Sequence, residues 1–182
     1  MNKNDENKVN PADDKWVVPK TIMDKLGDID MDVYAPFNRP WDSAKEHLTI
    51  LDDGLNKDWK GRVFCNPPDG ALTYPWLERC AKHRNAIALV YAKTDAAYFQ
   101  DIVMKYATAV IFIKGRVKFH YTDGAKADSA PLPSILVAFS YQTGCVLEDS
   151  GINGSFMWLK KTAKSKDYTL GYPNSLALIT GR

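Results

Sequence analysis

A chain of 182 residues, 45% hydrophobic and 25% charged, can bury a core of its own and is too apolar for a disordered or low-complexity protein. Its 24 basic and 22 acidic side chains leave a net charge of +2, which excludes a strongly polybasic or polyacidic protein while leaving room for a local basic face. No apolar run approaches the ~20 residues of a membrane helix, so no membrane partner is expected. Cys65, Cys80 and Cys145 are odd in number and, like His47, His83 and His120, lack metal-ligand spacing. Free thiols in a reducing cytoplasm, and no metal, are the expectation.

Residues 1–15 are rich in Asn, Lys and Asp, and read as a flexible tail rather than a signal peptide. Residues 19–27 predict a short helix, with Pro19 at its first position, Ile22, Met23 and Leu26 on one face, and Gly27 as its stop. Residues 29–34 alternate apolar and acidic side chains, as a strand with carboxylates near its carboxyl end would. Residues 36–60 carry turn signals without periodicity and predict a long functional loop. Residues 62–65 form a short apolar strand that stops at Asn66-Pro67-Pro68, because proline cannot continue a central strand.

A helix over residues 75–85 follows, burying Trp76, Leu77, Cys80 and Ala81. Residues 86–91, 109–113 and 134–139 are continuous apolar runs, the pattern of strands buried on both faces. Between the first two, Thr94 predicts the N-cap of a helix reaching about residue 107, with Tyr98, Ile102, Val103 and Tyr106 inward. Residues 114–119 read as a strand with Lys114, Arg116 and Lys118 on one face and Val117 and Phe119 on the other. Residues 122–130, rich in Gly, Ala and Asp, read as a mobile loop. Beyond residue 140 the pattern weakens: residues 156–159 and 168–172 suggest strands, and 160–166 a basic turn. Strands alternating with helices predict an α/β fold around a largely parallel sheet. The expected organisation is a tail (1–15), a main domain (16–139) and a C-terminal extension packed on it (140–182).

In an open α/β sheet, ligands bind beyond the carboxyl ends of the strands, where Asn66-Pro67-Pro68 falls. The exocyclic amino group of adenine is a poor nucleophile, because its lone pair is delocalised into the ring. A side-chain amide oxygen and a backbone carbonyl can accept its two hydrogens and favour a tetrahedral nitrogen. Prolines on the carboxyl side fix φ and hold those acceptors rigidly.

Seven patches occur in an order that resembles the phage-type DNA adenine N-6 methyltransferase family. They are Trp16 with Pro19; residues 30–35; Asp53-Gly54-Leu55 with Trp59; and Cys65-Asn66-Pro67-Pro68 with Gly70 and Trp76. Then come residues 92–95 with Phe99, residues 114–119, and residues 130–134. The resemblance covers roughly residues 16–139. It implies a Rossmann-like methyltransferase fold with a mostly parallel central sheet flanked by helices. It also implies S-adenosylmethionine as methyl donor, double-stranded DNA as substrate, and work in a bacterial cytoplasm. The implied catalytic positions are Asn66, Pro67, Pro68 and the residue after them, Asp69.

The usual glycine-rich cofactor loop is lacking, so the donor is assigned by order of patches to Asp32, with Asp30 as second choice, together with Pro19 beside Val18 and with Asn66. Lys93, Thr94, Lys114, Arg116 and Lys118 are the expected DNA contacts. Two positions depart from the family. Val18 stands where threonine is commoner, and Asp69 stands where an aromatic ring would stack on the flipped base. Tyr74 is a candidate replacement ring. The Asp69 departure also admits a DNA-binding relative without turnover, and the amino-group chemistry admits cytosine or RNA as the acceptor.

Overall fold

The computed structural model describes residues 16–160. Its core is a seven-stranded sheet in the order β2-β1-β3-β4-β8-β5-β9. The strands are β1 (Met31–Asp32), β2 (Glu46–His47), β3 (Val63–Cys65), β4 (Ala86–Tyr91), β5 (Ala109–Ile113), β8 (Ser134–Ala138) and β9 (Gly154–Trp158). A separate two-stranded hairpin joins β6 (Lys118–His120) to β7 (Lys126–Ser129). Strands β1 to β4 pair in parallel, while β8 lies antiparallel between β4 and β5, and β9 is antiparallel to β5. Five strands therefore run one way and two the other, so the sheet is mostly parallel but mixed.

Alternation within the buried strands sorts side chains to the two faces. From β4, Ala86, Ala88 and Val90 join one core, while Ile87 and Leu89 join the other. The first core is covered by α2 (Thr73–His83), through Trp76, Leu77, Cys80 and Ala81, and by a π-helical turn, Tyr98–Val103. The second is covered by α1 (Lys20–Leu26), through Met23 and Leu26, and by α4 (Tyr141–Asp149), through Leu147. Helices thus flank the sheet on both faces, the arrangement that strands apolar on both sides require.

Several local expectations need correction. Pro19 is the N-cap of α1 rather than its first helical residue, and Gly27 closes the helix at φ 69° as expected. Thr94 caps nothing: it lies in a turn, and the next segment is the π-helical turn Tyr98–Val103 leading into α3 (Met104–Tyr106). Tyr98, Phe99, Ile102 and Val103 are nonetheless buried.

Lys114, Arg116 and Lys118 do not share one strand face. β5 ends at Ile113, Gly115 adopts φ +81°, and β6 begins only at Lys118. All three cations are exposed, and Val117 and Phe119 are buried, so the in–out division survives the break in the strand. The stretch expected as a mobile loop, residues 122–130, instead folds back as β7 against β6. The loop over residues 36–60 contains the two-residue strand β2. Beyond residue 140, α4 was not foreseen, although Ser140 and Thr143 form a reciprocal capping box. Strand β9 covers the foreseen run at 156–158, whereas the strand expected at 168–172 and residues 161–166 of the basic turn lie outside the described residues. No helix among the described residues is long and apolar enough to cross a membrane.

Candidate active site

A cleft of about 440 Å³ opens beyond the carboxyl ends of β3 and β4. Asn66, Pro67, Pro68 and Asp69 form one wall. Leu89, Val90 and Tyr91 form its floor, and Phe119, Asp128, Ser129, Ala130 and Pro131 bring in the hairpin and the stretch that follows it. The patch at residues 130–134 is built into the sheet: Pro133 O accepts from Ala92 N at 2.8 Å, and Ala130 N donates to Val117 O at 2.8 Å. Ala130, Pro131 and Ser134 of this patch therefore line the cleft together with Asn66.

Beside the cleft, and sharing Trp16, Tyr34 and Asn66 with it, is a narrow recess. Its walls include Val17, Val18, Asp32, Trp41 and Ser43, and it leaves only about 10 Å³, roughly the room of one water. Asp32 is 4% exposed. Ser43 Oγ donates to its Oδ2, and Tyr34 N donates to Oδ1 at 3.3 Å. A buried carboxylate needs such donors to stay charged. Ser43 in turn is seated by His47, whose Nε2 accepts from Ser43 N and Ala44 N, both at 3.2 Å. Burial, with the Arg39 charge nearby, holds the His47 imidazole below its ordinary pKa, although Asp42 pulls the other way.

The Asn-Pro-Pro segment is rigidly mounted. The buried Thr73 hydroxyl donates to Pro68 O at 2.8 Å, so that carbonyl is already engaged. Among the described residues nothing hydrogen-bonds the Asn66 amide, which lines both spaces. Asp69 is clamped by Lys93, whose Nζ lies 2.7 Å from each carboxylate oxygen and 5.6 Å from the centre of the Tyr91 ring. The Asp69 charge therefore faces an ammonium rather than standing alone at the cleft mouth.

The other patch residues divide between the site and its support. Asp53 takes φ 50°, and a Cβ on Gly54 would sit 2.6 Å from Val33 O and 2.9 Å from the Trp76 ring. The Asp53-Gly54-Leu55 patch is thus a close approach between loop and sheet. Trp59 Nε1 donates to Gly54 O at 2.8 Å, and the Trp59 and Trp76 rings stack with centroids 6.2 Å apart. These tryptophans pin the loop that delivers Ile50 to the cleft.

Asp30 is not brought to the cleft. It lies at the other end of β1, bonded to Lys45 Nζ at 2.8 Å and Arg62 N at 2.7 Å, and the Lys45 bond holds its carboxyl below the usual range. Pro19 is buried just outside both spaces, with its neighbour Val18 lining the recess. Thr94, Lys114, Arg116 and Lys118 are exposed and line neither space. Tyr74 packs against the first core and does not reach the cleft. Sequence reasoning missed Ser43, His47 and Tyr91. Only Tyr91 carried a signal, as an aromatic residue ending an apolar strand at the ligand edge.

A mixed α/β sheet with a cleft beyond its parallel strands, lined by the Asn66 amide and the two prolines after it, places the chain among α/β proteins with a candidate ligand site at the carboxyl edge of the sheet. A family model described as DNA N-6-adenine-methyltransferase (Dam) matches residues 5–169, and the chain belongs to that family. No curated protein and no solved structure matches it.

Proposed function

We propose that the chain transfers a methyl group from S-adenosylmethionine to the exocyclic amino group of adenine in double-stranded DNA, within a Rossmann-like methyltransferase fold. The observation that carries this is Asn66, with its amide unclaimed and lining both the cleft and the recess of Asp32. The residues around Asp32 fit the donor's chemistry. A buried carboxylate suits ribose hydroxyls or an amino group, and Trp16, Tyr34 and Trp41 offer apolar ring surface. The free room lies mostly in the adjoining cleft, so a donor reaching Asp32 displaces side chains of the recess, of which Trp16, 45% exposed, is the least confined.

When bound, the donor supplies an electrophilic methyl group on a sulfonium. The Asn66 amide oxygen accepts one hydrogen of the adenine amino group. The Pro67 carbonyl is the second acceptor, because the Pro68 carbonyl is engaged by Thr73. The two prolines keep both acceptors fixed, so they favour the tetrahedral nitrogen without reorganising during the reaction. The base reaches them by leaving the helical stack. DNA phosphates outside the cleft meet the exposed Lys114, Arg116 and Lys118.

The reading is tested by titrating the protein with S-adenosylmethionine in a calorimeter, then adding methyl-labelled donor and unmethylated duplex DNA. Donor binding with label incorporated into DNA supports it. Donor binding without incorporation under any buffer condition overturns the catalytic claim.

A further inference from the structure

Resting on that reading, we propose that Tyr91 is the base-stacking residue of the site, with Asp69 and Lys93 as the pair that positions it. A flipped adenine needs an aromatic or apolar face to replace the neighbours it leaves in the duplex. Asp69, directly after Asn66-Pro67-Pro68, cannot provide one. Four rings line the cleft, and three of them are engaged with other rings, whereas Tyr91 packs along the second core. Phe119 is buried and edge-on to Trp16, Trp16 stacks on Tyr121 at 5.7 Å, and Tyr34 is packed edge-on to Trp76 at 5.2 Å.

Among the described residues the Tyr91 ring stacks on no other ring. It ends β4 next to Asn66, Pro67 and Pro68 in the cleft wall, and it is half-buried. β3 and β4 are adjacent and parallel, with Cys65 opposite Ala88. The chain leaving Cys65 therefore runs alongside the last residues of β4, which is why Asp69 meets Lys93 across 24 residues of sequence. Their contact holds the ammonium over one face of Tyr91, with Nζ 5.6 Å from the ring centre. A ring backed by a cation is fixed in place and drained of electron density, which favours stacking against the electron-rich purine. Asp69 thus serves the base indirectly, by anchoring Lys93.

The test begins by mapping the adenine that the wild-type protein methylates. A duplex with 5-iodouracil at that position is then irradiated on the protein, and the crosslinked peptide is sequenced. Tyr91 is the expected crosslink site. Steady-state transfer with Tyr91→Phe stays within about twofold of wild type, whereas Tyr91→Ala loses roughly 5- to 150-fold in kcat/KM, the loss of one base–aromatic stack, with donor affinity unchanged. A crosslink at Trp16, Tyr34 or Phe119, or full activity of Tyr91→Ala beside an active wild type, overturns the role of Tyr91 and leaves the proposed function standing. If Tyr91→Ala does not fold, the crosslink decides. A wild-type protein that binds donor and methylates no adenine overturns both.

Discussion

His47 makes the recess around Asp32 sensitive to acid. Two backbone N–H groups, those of Ser43 and Ala44, point at its Nε2, so this nitrogen must carry no proton and the imidazole must be neutral. Burial and Arg39 depress its native pKa below the unfolded value near 6.5, while the Asp42 carboxylate, 3.8 Å from Nε2, opposes them. Between the two values the unfolded chain binds the proton that the native chain refuses, so stability rises with pH. The His47 contribution is therefore whole above pH ~6.5 and is lost below it, down to the depressed native value, at up to about 1.4 kcal/mol per pH unit for one proton. Two neutral hydrogen bonds, at about 0.5–1.5 kcal/mol each, set the scale of what protonation removes. Urea unfolding of wild type and His47→Gln from pH 7.5 to 5 measures this. Their stability difference is expected to be flat above neutrality and to shrink on acidification, the other titrating groups cancelling between the two proteins. A difference that is constant throughout refutes a depressed His47, and one that grows on acidification shows instead a cation paired with Asp42.

Asp69→Asn breaks a pair whose side chains are 47% and 30% exposed, so the change in stability is expected to be at most about 1 kcal/mol. It frees Lys93 beside the cleft, and fluorescence anisotropy of a labelled duplex against salt is expected to show a log–log slope steeper by about 0.9; an unchanged slope means that Lys93 meets no phosphate. Asp32→Asn removes the charge and leaves one acceptor oxygen where Ser43 and Tyr34 use two, the Ser43 hydroxyl turning to accept from the new NH2 group, and calorimetry is expected to show S-adenosylmethionine binding roughly 10- to 150-fold weaker, the worth of one charged hydrogen bond. Unchanged affinity would move the donor away from Asp32. Gly54→Ala drives a methyl group into Val33 O and the Trp76 ring, and is expected to cost about 1–3 kcal/mol in urea unfolding; a neutral result would mean that this loop shifts freely on the sheet.

The strands at 86–91, 109–113 and 134–138 were legible because burial on both faces demands unbroken apolar runs. Their order was not. The insertion of β8 between β4 and β5, antiparallel to both, depends on pairing between segments far apart in sequence. Gly115 interrupts an alternating run that reads as continuous strand, since only its φ of +81° distinguishes a break from an extension. Residues 98–103 carry a helical pattern of buried positions, and an i to i+5 ladder buries nearly the same side chains as an i to i+4 one.

Within the candidate site, the place of Asn66-Pro67-Pro68 at the cleft was readable from local chemistry, because proline ends the strand at its carboxyl end. The clamp between Asp69 and Lys93 was not, since it follows from the parallel pairing of β3 and β4. Asp30 and Asp32 look alike in the sequence. The fold separates them by carrying one to each end of β1, and only Asp32 reaches the recess.

The proposed reaction requires a methyl group to reach an exocyclic nitrogen held by Asn66. Unmethylated duplex DNA incubated with S-adenosylmethionine and protein, digested to nucleosides and weighed by mass spectrometry, tests that most directly. Wild type is expected to produce N6-methyladenine, and a folded Asn66→Ala variant at least about 100-fold less of it, the usual loss for one transition-state acceptor or donor. Methyl found on cytosine, or Asn66→Ala producing N6-methyladenine at the wild-type rate, would contradict the account.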